Sequence, residues 1–284
     1  MFDAAVETLP WGEQVLLDDQ LYRQQIEYVL AHSRFYGDKL GSAGFTSAAK
    51  IGGLGDIARL PFTEKSEIRA SRSDDNPIGG HLCVARSDIV RIYSTSGTTG
   101  TPSYIPLTVA DLDNWVTTSA RSYAAAGIKR GEGIVTTYNA GPFVAAAALA
   151  AFDRLGLCHI PVGTGNSERL MTAIKLLKPK AAVMTPSHAA HLAEWAETRK
   201  FDLKGSSVRR LLVAGEPGGG EPALRARLEE AWGARVTEAM GIGDIAASLW
   251  GECEQRHGMH FGGRDLVHFE LIDPETGKNV PLED

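Results

Sequence analysis

The sequence predicts an α/β fold of largely parallel sheets flanked by helices, preceded by a helical N-terminal leader. Three observations carry this. Between residues 134 and 238, short apolar runs of strand length alternate with segments of helical periodicity, the pattern of a parallel sheet with crossover helices. Glycine-rich or hydroxyl-rich loops fall where those strands end, and ligands of such sheets bind beyond the carboxyl ends of the strands. A chain of 284 residues that is 43% hydrophobic and 23% charged also supplies a substantial core and excludes disorder.

The elements follow in order. Leu16, Leu17, Leu21, Ile26, Val29 and Leu30 recur at helical spacing and predict a leading helix that stops around Phe35-Tyr36-Gly37. Residues 40–90, punctuated by Gly52-Gly53, Pro61, Pro77 and Gly79-Gly80, read as irregular. Residues 89–93 read as a strand and 105–107 as its hairpin partner, which Pro106 confines to an edge. A helix over 110–126 comes next. Strands at 134–138, 158–162, 181–185 and 208–214 then alternate with helices near 144–155, 168–177, 188–198 and 221–232, and a short strand follows at 235–238. A last strand is read at 268–272, before the turn sequence Asp273-Pro274-Glu275-Thr276-Gly277. The organisation divides near residue 90. Residues 1–90 are read as a helical and irregular segment of the large domain, and 91–284 as an α/β core.

Bulk chemistry narrows the partners. The net charge is −6 and no long Lys/Arg run occurs, which argues against nucleic acid and anionic membrane surfaces. Cys83, Cys158 and Cys253 form no C-x-x-C pair, and such a sparse, odd set suits a reducing compartment. Asp3 and Glu7 precede any basic residue, unlike a signal peptide, and the longest apolar run, 143–152, is too short to span a bilayer. The expectation is a soluble cytoplasmic protein.

The run from Tyr93 to Pro102 holds six Ser/Thr hydroxyls and two glycines. Glycine lets backbone approach a ligand closely, and hydroxyls with free N–H groups offer donors to phosphate oxygens. A polar surface loop has the same composition. A Walker loop needs Gly-x4-Gly-Lys-[Ser/Thr], and the spacing of Gly97 and Gly100 and the missing lysine exclude it. Gly241-x-Gly243-x-x-Ala246 matches a dinucleotide fingerprint, so an NAD-binding oxidoreductase stays open as a lesser alternative.

Taken in order, Thr95-Ser96-Gly97-Thr98-Thr99-Gly100-x-Pro102, Ala214-Gly215-Glu216-Pro217 and Met240-Gly241-Ile242-Gly243-Asp244 resemble the adenylate-forming enzymes, and among them the phenylacetate–CoA ligase family. Leu60-Pro61-Phe62-Thr63-Glu64-Lys65, Ala120-Arg121-Ser122, Thr185-Pro186-Ser187 and Glu252-Cys253 with Gly258-Met259-His260 have counterparts there too. The resemblance implies an AMP-forming acid–CoA ligase using ATP, Mg²⁺ and coenzyme A. Thr95, Ser96, Gly97, Thr98, Thr99 and Gly100 would cradle the phosphates, and Gly215, Glu216 and Pro217 would border the adenine. Met240, beside Gly241, would face the adenine ring, and Asp244 would help hold Mg²⁺. Tyr138, Asn139, Ala140, Gly141 and Phe143 would line the acyl pocket. The family's adenylation lysine belongs to a C-terminal domain that maps onto no residue of this chain. The expectation is therefore a truncated N-terminal portion that does not make acyl-CoA efficiently alone.

This chain departs from the family pattern at several positions. Thr101 stands where Lys is usual, Met240 where Tyr is usual, Gly243 where Ser or Thr is usual, and Asp244 where Glu is usual. Ala140 replaces the second tyrosine of the acyl segment. That points away from phenylacetate, toward a small, branched or hydroxylated acid or a different aryl acid. Cys253 and His260, with His257 nearby, suggest partial zinc binding, because the family's later Cys-x-Cys pair is missing. A non-catalytic nucleotide- or acyl-binding module of the same fold is the alternative function, and a homodimer is one possible assembly.

Overall fold

A computed structural model describes residues 1–95, 102–138, 141 and 144–280. The chain runs through α1 (Ala4–Glu7), α2 (Trp11–His32), α3 (Arg34–Ser42), α4 (Ala48–Ile51), α5 (Lys65–Ala70), β1 (Arg91–Ser94), β2 (Tyr104–Leu107) and α6 (Val109–Ala125). It continues as β3 (Gly133–Thr136), α7 (Ala145–Arg154), β4 (Cys158–Pro161), α8 (Ser167–Leu177), β5 (Ala181–Met184), α9 (Pro186–Thr198), β6 (Arg210–Val213) and α10 (Pro222–Trp232). β7 (Arg235–Ile242), β8 (Ala246–Glu252) and β9 (Met259–Phe261) complete it. β1 and β2 pair in a two-stranded sheet, and the other strands form a seven-stranded sheet in the order β4-β3-β5-β6-β7-β8-β9.

Two compact units divide the chain. The first comprises the described residues of Met1–Ala4, Tyr93–Ser96 and Ala110–Gly262 and contains the seven-stranded sheet. β4, β3, β5, β6 and β7 are parallel, whereas β8 and β9 join antiparallel. Alternation along each strand sends side chains to opposite faces. Val135, Ala182, Met184, Leu211, Val213 and Val236 pack with α8, α9 and α10, where Leu170, Leu192 and Trp232 are buried. Ile134, Ala181, Val183, Leu212 and Ala239 pack on the other side with α6 and α7, through Tyr123 and Phe152. Both faces are covered, which is why β5 reads as an unbroken apolar run. Thr185 caps α9 by accepting from His188 N, with Pro186 at the first helical position, and Gly233 closes α10 at φ 58°.

The second unit comprises the described residues of Ala5–Ile92, Gly97–Val109 and Gly263–Asp284. Its core is a small cluster of Leu40, Phe45 and Ile51, with Tyr22, Ile26 and Leu30 packed against it. Here the sequence reading needs correction. The helical pattern does not end at Phe35–Gly37. Ser33 breaks α2 and its hydroxyl accepts from Tyr36 N at 3.3 Å, starting α3 at once. Gly37 and Gly41, poor helix formers, hid α3 from view. Nor is 268–272 a strand. Ile272 makes only an isolated bridge with Asn279, around a turn in which the Asp273 carboxylate accepts from Glu275 N and Thr276 N. No described helix is long and apolar enough to cross a membrane.

Candidate functional site

The strand order reverses beside β3. The chain leaves β3 outward to β4, then returns past it to β5, so β3 and β5 flank a switch point, the place where open α/β sheets bind ligands. Register fixes what stands there. Thr136 pairs with Val183, Val183 with Leu212 and Leu212 with Thr237. Two residues further along each strand, Tyr138, Thr185, Ala214 and Ala239 therefore share one level at the carboxyl edge of the sheet.

The loop after β6 is held by the Tyr138 side chain, from beyond β3, and by its own Glu216 side chain at the amino end of α9. The Tyr138 hydroxyl donates to Ala214 O at 2.7 Å. Burial pushes this phenol far above the ordinary tyrosine range, so it stays protonated and remains a donor. Gly215 turns the chain at φ +91°, and a Cβ there would lie 3.6 Å from Tyr138 Oη and 3.7 Å from Thr185 Cγ2. Glu216 Oε1 then accepts from Ser187 N at 2.7 Å, at the amino end of α9. Burial opposes the charge on Glu216, but hydrogen bonds from Ser187 and Thr185 and the nearby His188 outweigh it and hold the carboxyl below its usual value. His188 is lowered by its own burial and by His191, against the pull of Glu216. Pro217 is exposed at the end of the loop.

Beyond the pairing of Val213 with Glu238, β7 continues for four residues and turns back into β8. Met240 pairs with Trp250 and Ile242 with Ala246, with a register shift between them. Met240 is 46% exposed, at a level one residue past Ala239. A Cβ on Gly241 would meet Ala247 O at 2.1 Å, so glycine is required for the strands to approach here. Gly243 and Asp244 lie in the tip, closed by Ile245 N donating to Ile242 O at 2.8 Å, and Asp244 is exposed. This arrangement overturns the dinucleotide fingerprint. The motif must open a helix whose amino end receives pyrophosphate, and Gly241, Gly243 and Ala246 lie instead in an antiparallel hairpin.

Glu252, only 6% exposed, connects the two features. Its Oε2 accepts from Arg225 Nη2 at 2.7 Å and from Glu238 N at 2.8 Å, and Arg225 Nε donates to Gly219 O at 2.9 Å. Sequence alone does not show this partner set, because Arg225 and Glu238 lie 27 and 14 residues away. Burial, then the charge of Glu252, raises the Glu238 carboxyl, against Arg225 and the Gly219 and Gly220 N–H groups.

The remaining candidates are dispersed. Thr95 follows β1, whose Tyr93 is buried in stacked contact with Trp115 at 6.1 Å. Ser96, Gly97, Thr98, Thr99, Gly100 and Thr101 lie outside the described residues, as do Asn139, Ala140 and Phe143. Gly141 occupies a bend, and a Cβ there would meet open space. Cys253 is half-buried with Sγ accepting from Gln255 N, His260 is exposed on β9 opposite Gly251, and His257 is exposed. Cys253 and His260 supply two of the four ligands a structural zinc takes, and no cluster of three or more His, Cys, Asp or Glu suited to a metal occurs among the described residues.

The AMP-binding enzyme family matches residues 14–284. A phenylacetate-coenzyme A ligase of Thermus thermophilus is 32% identical over 287 residues, covering 99% of this chain and 62% of the relative. One from Pseudomonas putida is 30% identical over 230 residues, covering 80% of this chain and 51% of the relative. Among solved structures, an open conformation of 2-hydroxyisobutyryl-CoA ligase in complex with 2-HIB-AMP and CoA superposes with a TM-score of 0.88 at 30% identity. It covers 96% of this chain and 60% of that one. The chain thus spans roughly half to three fifths of the length of these relatives.

Proposed function

Because this chain belongs to the AMP-binding enzyme family, we propose that it forms the carboxylate-activating portion of an AMP-forming acid–CoA ligase. The observation that carries the reading is the pinned Gly215–Pro217 loop at the carboxyl edge of the sheet, with Met240 on the adjoining strand. In this reading a carboxylate oxygen attacks the α-phosphorus of ATP and expels pyrophosphate. The coenzyme A sulfur then attacks the acyl carbon and AMP leaves. The chain's contribution is positioning: fixing base, phosphates and acid together turns a bimolecular encounter into an oriented one.

Backbone at Gly215 borders the adenine, and the Met240 thioether packs on its face through a polarizable sulfur. Thr95 and the hydroxyl-rich run after it hold phosphate oxygens. Asp244, an exposed carboxylate at the hairpin tip, would supply an oxygen ligand suited to Mg²⁺. The ion offsets phosphate charge when bound. Cys253 and His260 form at most a partial zinc site, which elemental analysis of the purified chain checks.

The acid is a small, branched or hydroxylated one, or an aryl acid other than phenylacetate. Ala140 in place of an aromatic residue supports this, as does the likeness to a ligase whose bound intermediate is 2-HIB-AMP. The reading also places the protein in the cytoplasm.

Calorimetric titration with AMP and with 2-hydroxyisobutyryl-, phenylacetyl- and benzoyl-sulfamoyladenosine tests the proposal. The expected result is AMP binding, with one acyl conjugate tighter by about a hundredfold, as mimics of bound intermediates are. Affinities indifferent to the acyl group, or a preference for NAD over AMP, would contradict it.

A further inference from the structure

The Gly215 loop leaves the sheet where its pairing stops. Ala214 N still bonds Met184 O at 3.2 Å, but the ladder between β6 and β7 ends one residue earlier, at Val213 and Glu238. Ala214 is part-buried, and a carbonyl shielded from water without a partner is costly. The partner that reaches Ala214 O is the Tyr138 hydroxyl, from β3, on the far side of β5. Gly215 then passes through the corner between Tyr138 Oη and Thr185 Cγ2. One residue later the Glu216 carboxylate faces the amino end of α9, where the exposed N–H groups and helix dipole favour an anion. The loop is tied at its entry by one side chain and at its apex by another.

We propose that Tyr138 and Glu216 are positioning residues that clamp the Gly215 loop in the shape that accepts adenine. Neither one's polar group contacts the nucleotide. The inference rests on the site reading above and reassigns two of its residues. Tyr138 has no hydroxyl proton to offer an acyl group, because that proton is committed to Ala214 O. Glu216 turns its charge into α9, away from where a triphosphate's negative charge would repel it. Its lowered carboxyl value agrees with that placement.

Calorimetry on the 284-residue chain separates the possibilities. Tyr138→Phe and Glu216→Ala each lower AMP affinity about tenfold, the size of one lost hydrogen bond to a charged or buried group. The affinity ratio between 2-hydroxyisobutyryl- and phenylacetyl-sulfamoyladenosine stays unchanged in both. Glu216→Gln keeps an acceptor for Ser187 N and restores most of the AMP affinity. A changed acyl ratio with intact AMP affinity in Tyr138→Phe assigns its hydroxyl to the acyl pocket and overturns the clamp. AMP affinity intact in both variants, or no recovery in Glu216→Gln, overturns it too. A wild-type chain that binds no AMP overturns the site reading itself and the clamp with it.

Discussion

The loop after β6 and the hairpin after β7 flank the same edge of one sheet, yet they are built differently. The loop is a stretch of irregular backbone whose shape depends on the Tyr138 hydroxyl, which arrives from the end of β3, and on its own Glu216 carboxylate, which accepts from the amino end of α9. The hairpin needs no such help: its ladder with β8 carries it, and its close approach is set by Gly241. Side-chain substitutions should therefore reshape the loop, and added bulk should disturb the hairpin. Glu252 ties both, through Arg225 to Gly219 on one side and through Glu238 N on the other, and the Glu238 carboxyl adds bonds from the Gly219 and Gly220 N–H groups.

The largest effect is expected at that tie. Glu252→Ala leaves the part-buried Arg225 without its carboxylate and Glu238 N without its acceptor, and should cost about 3 kcal/mol in urea denaturation. A loss within experimental error would show that loop and hairpin are held independently. Next comes Gly241→Ala. A Cβ placed 2.1 Å from Ala247 O forces the strands apart, an overpacking cost of about 1–3 kcal/mol. Thermal melts check it, and an unperturbed melt would break the contrast, since the hairpin would then tolerate bulk.

The smallest effect is the most discriminating, because the two glutamates shift in opposite directions. Glu216, lowered, adds stability above the ordinary value of 4.5 and loses it as pH falls through its folded value. Glu238, raised, adds stability below 4.5 and loses it as pH rises through its folded value. At neutral pH, Glu216→Gln should thus be less stable than wild type and Glu238→Gln more stable. Both differences should be under about 1 kcal/mol after solvent screening; the Glu238 difference should vanish below pH 4.5, and the Glu216 difference only below its lowered folded value. Denaturation across a pH series reads both signs, and equal signs would refute the assignment of environments.

Much of the first unit was legible from sequence for a physical reason. A parallel strand buried on both faces must be apolar throughout, as Ala181–Met184 is, and its helices must be capped, as Thr185-Pro186 and Gly233 do. Loops at strand ends were legible as glycine-bearing exits. β8 was not, because Ala246–Glu252 lacks alternation: Gly251 lies against the Ser122 backbone, where a Cβ would sit 2.2 Å from its carbonyl oxygen. The partners of Tyr138 and Glu252 were invisible for another reason. Tyr138 and Ala214 are 76 residues apart, and only strand order brings them together.

The central claim is that adenine is received by the Gly215 loop and the Met240 strand. Hydrogen exchange with and without AMP tests it most directly. The account predicts slowed amide exchange at Gly215, Glu216 and Met240 to Ile242. Protection confined to other segments, or none at saturating AMP, would contradict it.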